Sequence, residues 1–188
     1  MNGILENGFF WAEVTFGTGT LVFAAAAVLT LFSTETRLGF FEPLARNRWA
    51  GLFVGWIALA LCVPHAVVVA PAFLIPWLWP VALIVPILGF FSLDYPGARA
   101  LGGALILLGY YLVHFSFDFR TPGFPVIALA GWLAGIVGIW ISGKPCAMRD
   151  YFRMVARRKG IRGLCAAFWG VEMLLALWAL IMTNGGGR

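Results

Sequence analysis

Residues 163–182 read GLCAAFWGVEMLLALWALIM, twenty positions with a single charge, Glu172, near the middle. An α-helix rises about 1.5 Å per residue, so twenty residues cover roughly 30 Å, the depth of a bilayer's hydrocarbon core. This run reads as a membrane-spanning helix. Working outward from it, five further windows have the same character: residues 11–32, 50–70, 73–93, 98–117 and 124–141. The expected fold is an all-α polytopic membrane protein, a compact bundle of about six transmembrane helices forming one transmembrane domain over residues 1–188. The loops between the windows are short and leave no room for a soluble domain.

Composition supports the same class. Hydrophobic residues make up 62% of the chain and charged residues 11%, against roughly 45–50% and 25% in a soluble domain. Mean hydropathy is +0.92. A soluble core could not hide that much apolar surface at this length. Three cysteines are too few for a disulfide scaffold. The long unbroken apolar runs differ from the short alternating strands of a β-barrel.

Five prolines, Pro64, Pro71, Pro76, Pro80 and Pro86, punctuate the second and third windows. Proline interrupts a helix beyond its first turn. Pro71 and Ala72 suit a tight hairpin, and Pro86 is expected to kink the third helix. Three readings of residues 64–86 stand at this point: regular spans, a broken helix with freed carbonyls, or a partly re-entrant segment. The segment Leu38-Gly39-Phe40-Phe41 recurs as Leu88-Gly89-Phe90-Phe91, which fits either a duplicated hairpin or coincidence.

The basic residues set an expected orientation. Arg37, Arg46, Arg48, Arg99, Lys144, Arg149, Arg153, Arg157, Arg158, Lys159 and Arg162 fall in the loops after the first, third and fifth windows. Only Arg120 and Arg188 fall on the other side. The positive-inside rule then places those three loops in the cytoplasm and both termini outside, in an inner or plasma membrane. Residues 2–10 carry Glu6 and no Lys or Arg, unlike a cleaved secretory signal, so the first helix is expected to stay.

Residues 144–160 are expected to form a cytoplasmic amphipathic helix at the interface. Met148, Tyr151, Phe152 and Val155 recur at helical spacing, with Arg149, Arg153 and Arg157 on another face. Pro145 suits its start and Gly160 its end. The apolar side is expected to lie on the leaflet, with Arg149, Arg153, Arg157, Arg158 and Lys159 meeting anionic lipid or a partner. Nucleic acid is not an expected partner, because no recognition fold fits here.

Ionisable groups at membrane depth carry the functional reading. Glu13, His65, His114 and Asp118 fall at similar depth near the outer ends of three helices, and His114 and Asp118 share a face at i, i+4. Glu172 falls near mid-membrane. Histidine titrates near neutral pH, and a carboxylic acid held away from water can bind and release a proton. Glu172, His65, His114, Asp118 and Glu13 therefore form a candidate translocation or proton path. Purely structural hydrogen bonding between helices accounts for the same residues. A third reading pairs His65 with His114 as ligands of a haem iron, or of a metal with a carboxylate.

No Walker A sequence, dinucleotide glycine fingerprint, GxSxG or CxxC is present, so a catalyst acting on its own is not expected. Two functions stay open. One is a small transporter or channel for an ion, proton or small solute, working as a homo-oligomer. The other is an integral or accessory subunit of a heteromeric membrane complex, with haem or quinone as its cofactor. Gly51 with Gly55, Gly131 with Gly135, and Gly102 with Gly103 are candidate sites of close helix approach.

Overall fold

In a computed structural model, residues 2–118 and 123–186 are described, with side chains except at 2–9, 65, 68, 185 and 186. Arg120 and Arg188 lie outside the described residues. The described chain is helical: α1 Asn2–Phe32, α2 Leu38–Phe41, α3 Arg48–Val69, α4 Leu78–Ser92, α5 Pro96–Asp118, α6 Phe124–Gly143, α7 Cys146–Arg157 and α8 Lys159–Gly186. Among the described residues five segments are long and apolar enough to cross a membrane, and a bent pair, Glu35–Arg46 with Arg48–Pro64, makes up to six if it is counted as one span. The chain is a multi-span helical membrane protein. In lipid every backbone group must find its partner internally, and long helices satisfy that within one segment.

Several boundaries differ from those expected. The first helix extends back to Asn2, ahead of its apolar span Phe10–Phe32. The third apolar segment is a 3-10 turn, Ile75–Trp77, leading into the 15-residue α4. Its shorter length follows from Pro76 and Pro80, which belong in a helix's first turns. Pro64 lies inside α3 without ending it, and the hairpin turns at Leu74 N–H to Pro71 C=O, 2.9 Å. The bend falls instead at Asn47, 53° between the two arms. Asn47 ends the 3-10 turn Glu42–Arg46, and its side chain accepts from Ala50 N–H at 3.1 Å, starting α3 afresh. The two LGFF copies differ in structure: one is the isolated helical turn α2, the other lies within the end of α4.

The helices divide between two compact units. One comprises Met1–Leu38, Leu108–Gly135 and Phe152–Arg188. Here α1 and α8 pack antiparallel. Phe23 stacks on Trp169 at 5.9 Å, Gly19 faces Ala176, and Arg162 donates to the Ser33 carbonyl at 3.3 Å. Rising numbers on α1 meet falling numbers on α8. The buried positions on α1 (Ala12, Phe16, Phe23, Thr30), with Ser33 just past its end, and on α8 (Ala166, Trp169, Glu172, Ala176, Ala179, Thr183) recur every three, four or seven residues, the seam of a helix pair. In the same unit a Cβ on Gly131 would sit 2.8 Å from the Gly109 carbonyl, so α5 and α6 approach backbone to backbone.

The other unit comprises Gly39–Leu107 and Ile136–Tyr151. Here α3 pairs with α4: the Trp56 indole donates to the Leu83 carbonyl at 2.9 Å, and Trp49 meets Phe90 edge-on at 5.2 Å. A Cβ on Gly102 would meet Gly138 C=O at 2.7 Å, and Ser142 Oγ donates to Arg99 C=O at 3.3 Å. The close pairs are therefore Gly102–Gly138 and Gly109–Gly131. Gly103 and Gly135, singled out by their spacing, each have open space where a Cβ would stand.

The amphipathic helix is α7, Cys146–Arg157, and α8 follows after Arg158 alone. Gly160 thus lies in the first turn of α8, not at a helix end. Met148, Phe152, Val155 and Ala156 are buried by the protein itself. This corrects the expectation that the apolar side of the helix rests on lipid: that side is spent on packing, and the charged side remains outward.

Candidate functional site

Glu172 lies about halfway along α8, ten residues or about 15 Å from Arg162. It sits in the α1–α8 seam, between Trp169, which stacks on Phe23, and Ala176, which faces Gly19. Only 2% of its surface is exposed, and Oε2 has no hydrogen-bond partner. An unmatched buried polar atom costs about 1–3 kcal/mol, so the fold pays to keep this carboxyl where it is.

The buried polar side chains among the described residues are Thr30, Ser33, Ser116, Glu172 and Thr183, and all five belong to the unit holding α1 and α8. The four hydroxyls donate to carbonyls of their own helices: Thr30 to Ala26 at 2.7 Å, Ser33 to Leu29 at 2.6 Å, Ser116 to Val113 at 2.8 Å and Thr183 to Ala179 at 2.8 Å. Their hydrogens are committed, and what each oxygen keeps is acceptor capacity. They do not cluster at Glu172: Thr183 stands eleven residues, about 16 Å, farther along α8, and Ser33 lies at the Arg162 end.

His114 and Asp118 are brought together as their spacing implies, Nε2 to Oδ2 at 3.3 Å, both half exposed. Tyr110 stacks on the imidazole at 5.6 Å, one turn below. The pair lies at the end of its unit opposite Arg162, because Gly123, beyond α5, meets the ring of Trp178 near the end of α8. Glu13 lies toward that same end, six residues before Gly19, about 9 Å along α1. By the same register it is well over one turn from Glu172, so these two carboxyls do not form a cluster.

His65 lies on α3 in the other unit, and its side chain lies outside the described residues. The Nε2 of His114, the atom an axial haem ligand would offer, faces Asp118 instead. Among the described residues no group of three or more His, Cys, Asp or Glu is set to hold a metal ion.

Of the basic residues assigned to lipid or partner contact, Arg149 is half-buried and pairs with Asp150 at 3.5 Å, and Arg153 is half-buried. Arg157, Arg158 and Lys159 are exposed at the corner between α7 and α8. The buried hydroxyls escaped the sequence reading. For Thr30 and Ser33 the signal was their spacing, seven and then three residues beyond Phe23, which continues the stripe of Ala12, Phe16 and Phe23. Comparison with protein-family models, curated proteins and solved structures finds no match.

Proposed function

We propose that this chain carries protons or a small monovalent cation across its membrane, with Glu172 as the binding group. The observation that carries the reading is the Glu172 carboxyl: buried at mid-helix, with one oxygen unmatched. Buried ionisable groups in spans are costly and mark ion or proton pathways. The unmatched carboxyl oxygen supports a cation or a proton as the cargo. Lone pairs suit a cation or a proton and repel an anion. The His114–Asp118 pair stands half exposed at one end of the same unit, a polar entrance for a cation.

The topology proposed with it has six crossings and cytoplasmic loops where the basic residues collect. Parity supports the count. Antiparallel α1 and α8 require an even number of crossings, and α3 completes six with α1, α4, α5, α6 and α8. Both termini then lie outside the cytoplasm. A homo-oligomer is the proposed working form, since a chain this small has little mass for alternating access alone.

The test is proton and Na+ flux in proteoliposomes holding the wild-type protein or Glu172→Gln. Expected is flux with the wild type and its loss in the folded variant. Equal flux in the two would sink this assignment. A wild type inactive for both ions would move the chain to the other reading, an integral subunit of a larger complex. That reading is favoured by α4, of whose residues only Ala82 and Pro86 are buried.

A further inference from the structure

Arg157, Arg158 and Lys159 form three consecutive exposed cations where α7 ends and α8 begins. None of the three has an ion-pair partner among the described residues. Their neighbours are otherwise engaged. Arg162 donates to the Ser33 carbonyl and ties α8 to α1. Asp150, the acid of α7, pairs with Arg149. The corner is held by packing, because Phe152, Val155 and Ala156 are buried under it. The cations therefore stand on a fixed platform and are not anchored by an apolar face dipping into lipid.

Beyond the corner, the outward side of α8 is apolar. Leu164 is 73% exposed, and Val171, Leu174 and Ile181 continue the same face. Between the cations and Leu164, a Cβ on Gly160 or Gly163 would meet nothing within 4 Å. The arrangement is a charged shelf, an open step and an apolar track of about 18 Å from Lys159 to Val171.

The geometry points to a binding site for one anionic phospholipid, its phosphate on Arg157, Arg158 and Lys159 and an acyl chain along Leu164 and Val171. Charge complementarity selects the lipid. Each Lys or Arg close to an anionic surface favours it severalfold, whereas a zwitterionic headgroup brings its own cation and gains little. Exposed Leu164, five residues or about 7.5 Å along α8 from Lys159, suits a ligand with both a phosphate and a hydrocarbon chain. The site is independent of Glu172 and of any flux.

The experiment is native mass spectrometry of the full chain in mild detergent, with phosphatidylglycerol or phosphatidylcholine of matched chains. The wild type is expected to retain phosphatidylglycerol about tenfold better or more. The variant Arg157→Gln/Arg158→Gln/Lys159→Gln is expected to lose that preference while Arg162 keeps the fold. A wild type without preference, or a variant that keeps it, overturns the proposal. Should the triple variant fail to insert, raising salt on the wild type decides. The preference is expected to fall as the charges are screened, and one that does not change with salt overturns the site equally.

Discussion

Glu172 is costly where it stands, and that cost is measurable apart from any flux. Replacing the buried carboxyl with an apolar side chain of similar length removes the unmatched Oε2. Such exchanges are neutral or stabilising when the partner atom was already missing. Glu172→Leu is expected to raise stability by about 1–3 kcal/mol while ending transport. Thermal unfolding in detergent beside the flux assay checks both. A large loss of stability would mean the carboxyl holds the α1–α8 seam together and would favour the purely structural account. The residue itself was legible in the sequence, because one charge in a twenty-residue apolar run stands out. Its burial was not, since the face it occupies depends on a helix more than a hundred residues away.

The helix pairs are set by where backbones can touch. Gly102 and Gly103 are adjacent and look equivalent as small residues. Only Gly102 faces α6, with a Cβ there 2.7 Å from Gly138 C=O, while Gly103 has open space. Gly102→Val is expected to destabilise by about 1–3 kcal/mol through overpacking. Gly103→Ala is expected to be neutral or to stabilise by about 0.4–1 kcal/mol through unfolded-chain entropy. Unfolding midpoints of the two variants decide, and equal effects would refute the register between α5 and α6. The tryptophans carry the same lesson. Trp132 and Trp169 both fall well inside apolar runs of the sequence, yet Trp132 is 66% exposed while Trp169 is buried and stacks on Phe23.

The antiparallel α1–α8 pair makes a topological prediction. Thr34 follows α1 and Gly123 precedes α6, and six crossings place them on opposite sides of the membrane. In a background lacking Cys62, Cys146 and Cys165, Thr34→Cys is expected to react with an impermeant maleimide only after the cells are opened. Pro125→Cys, beside Gly123 and exposed in the first turn of α6, is expected to react in intact cells. The reverse pattern would invert the orientation, and labelling of both from one side would refute the parity of six.

Helix class and the rough limits of each apolar run were readable locally. A bilayer forces each segment to satisfy its own backbone hydrogen bonds, so a twenty-residue apolar run has one solution whatever its neighbours do. The amphipathic helix was readable for a similar reason, since its two faces differ in their solvent preference. Which apolar face meets protein and which meets lipid was decided only by the tertiary structure. A lipid tail is as apolar as a leucine, so hydropathy carries no signal that separates them. Shape does separate them: glycines admit backbones, Phe23 finds Trp169, and the seam that results closes over Glu172. The buried apolar side of α7 follows from the same cause, because protein and leaflet compete for that face on equal hydrophobic terms and close packing chooses the protein.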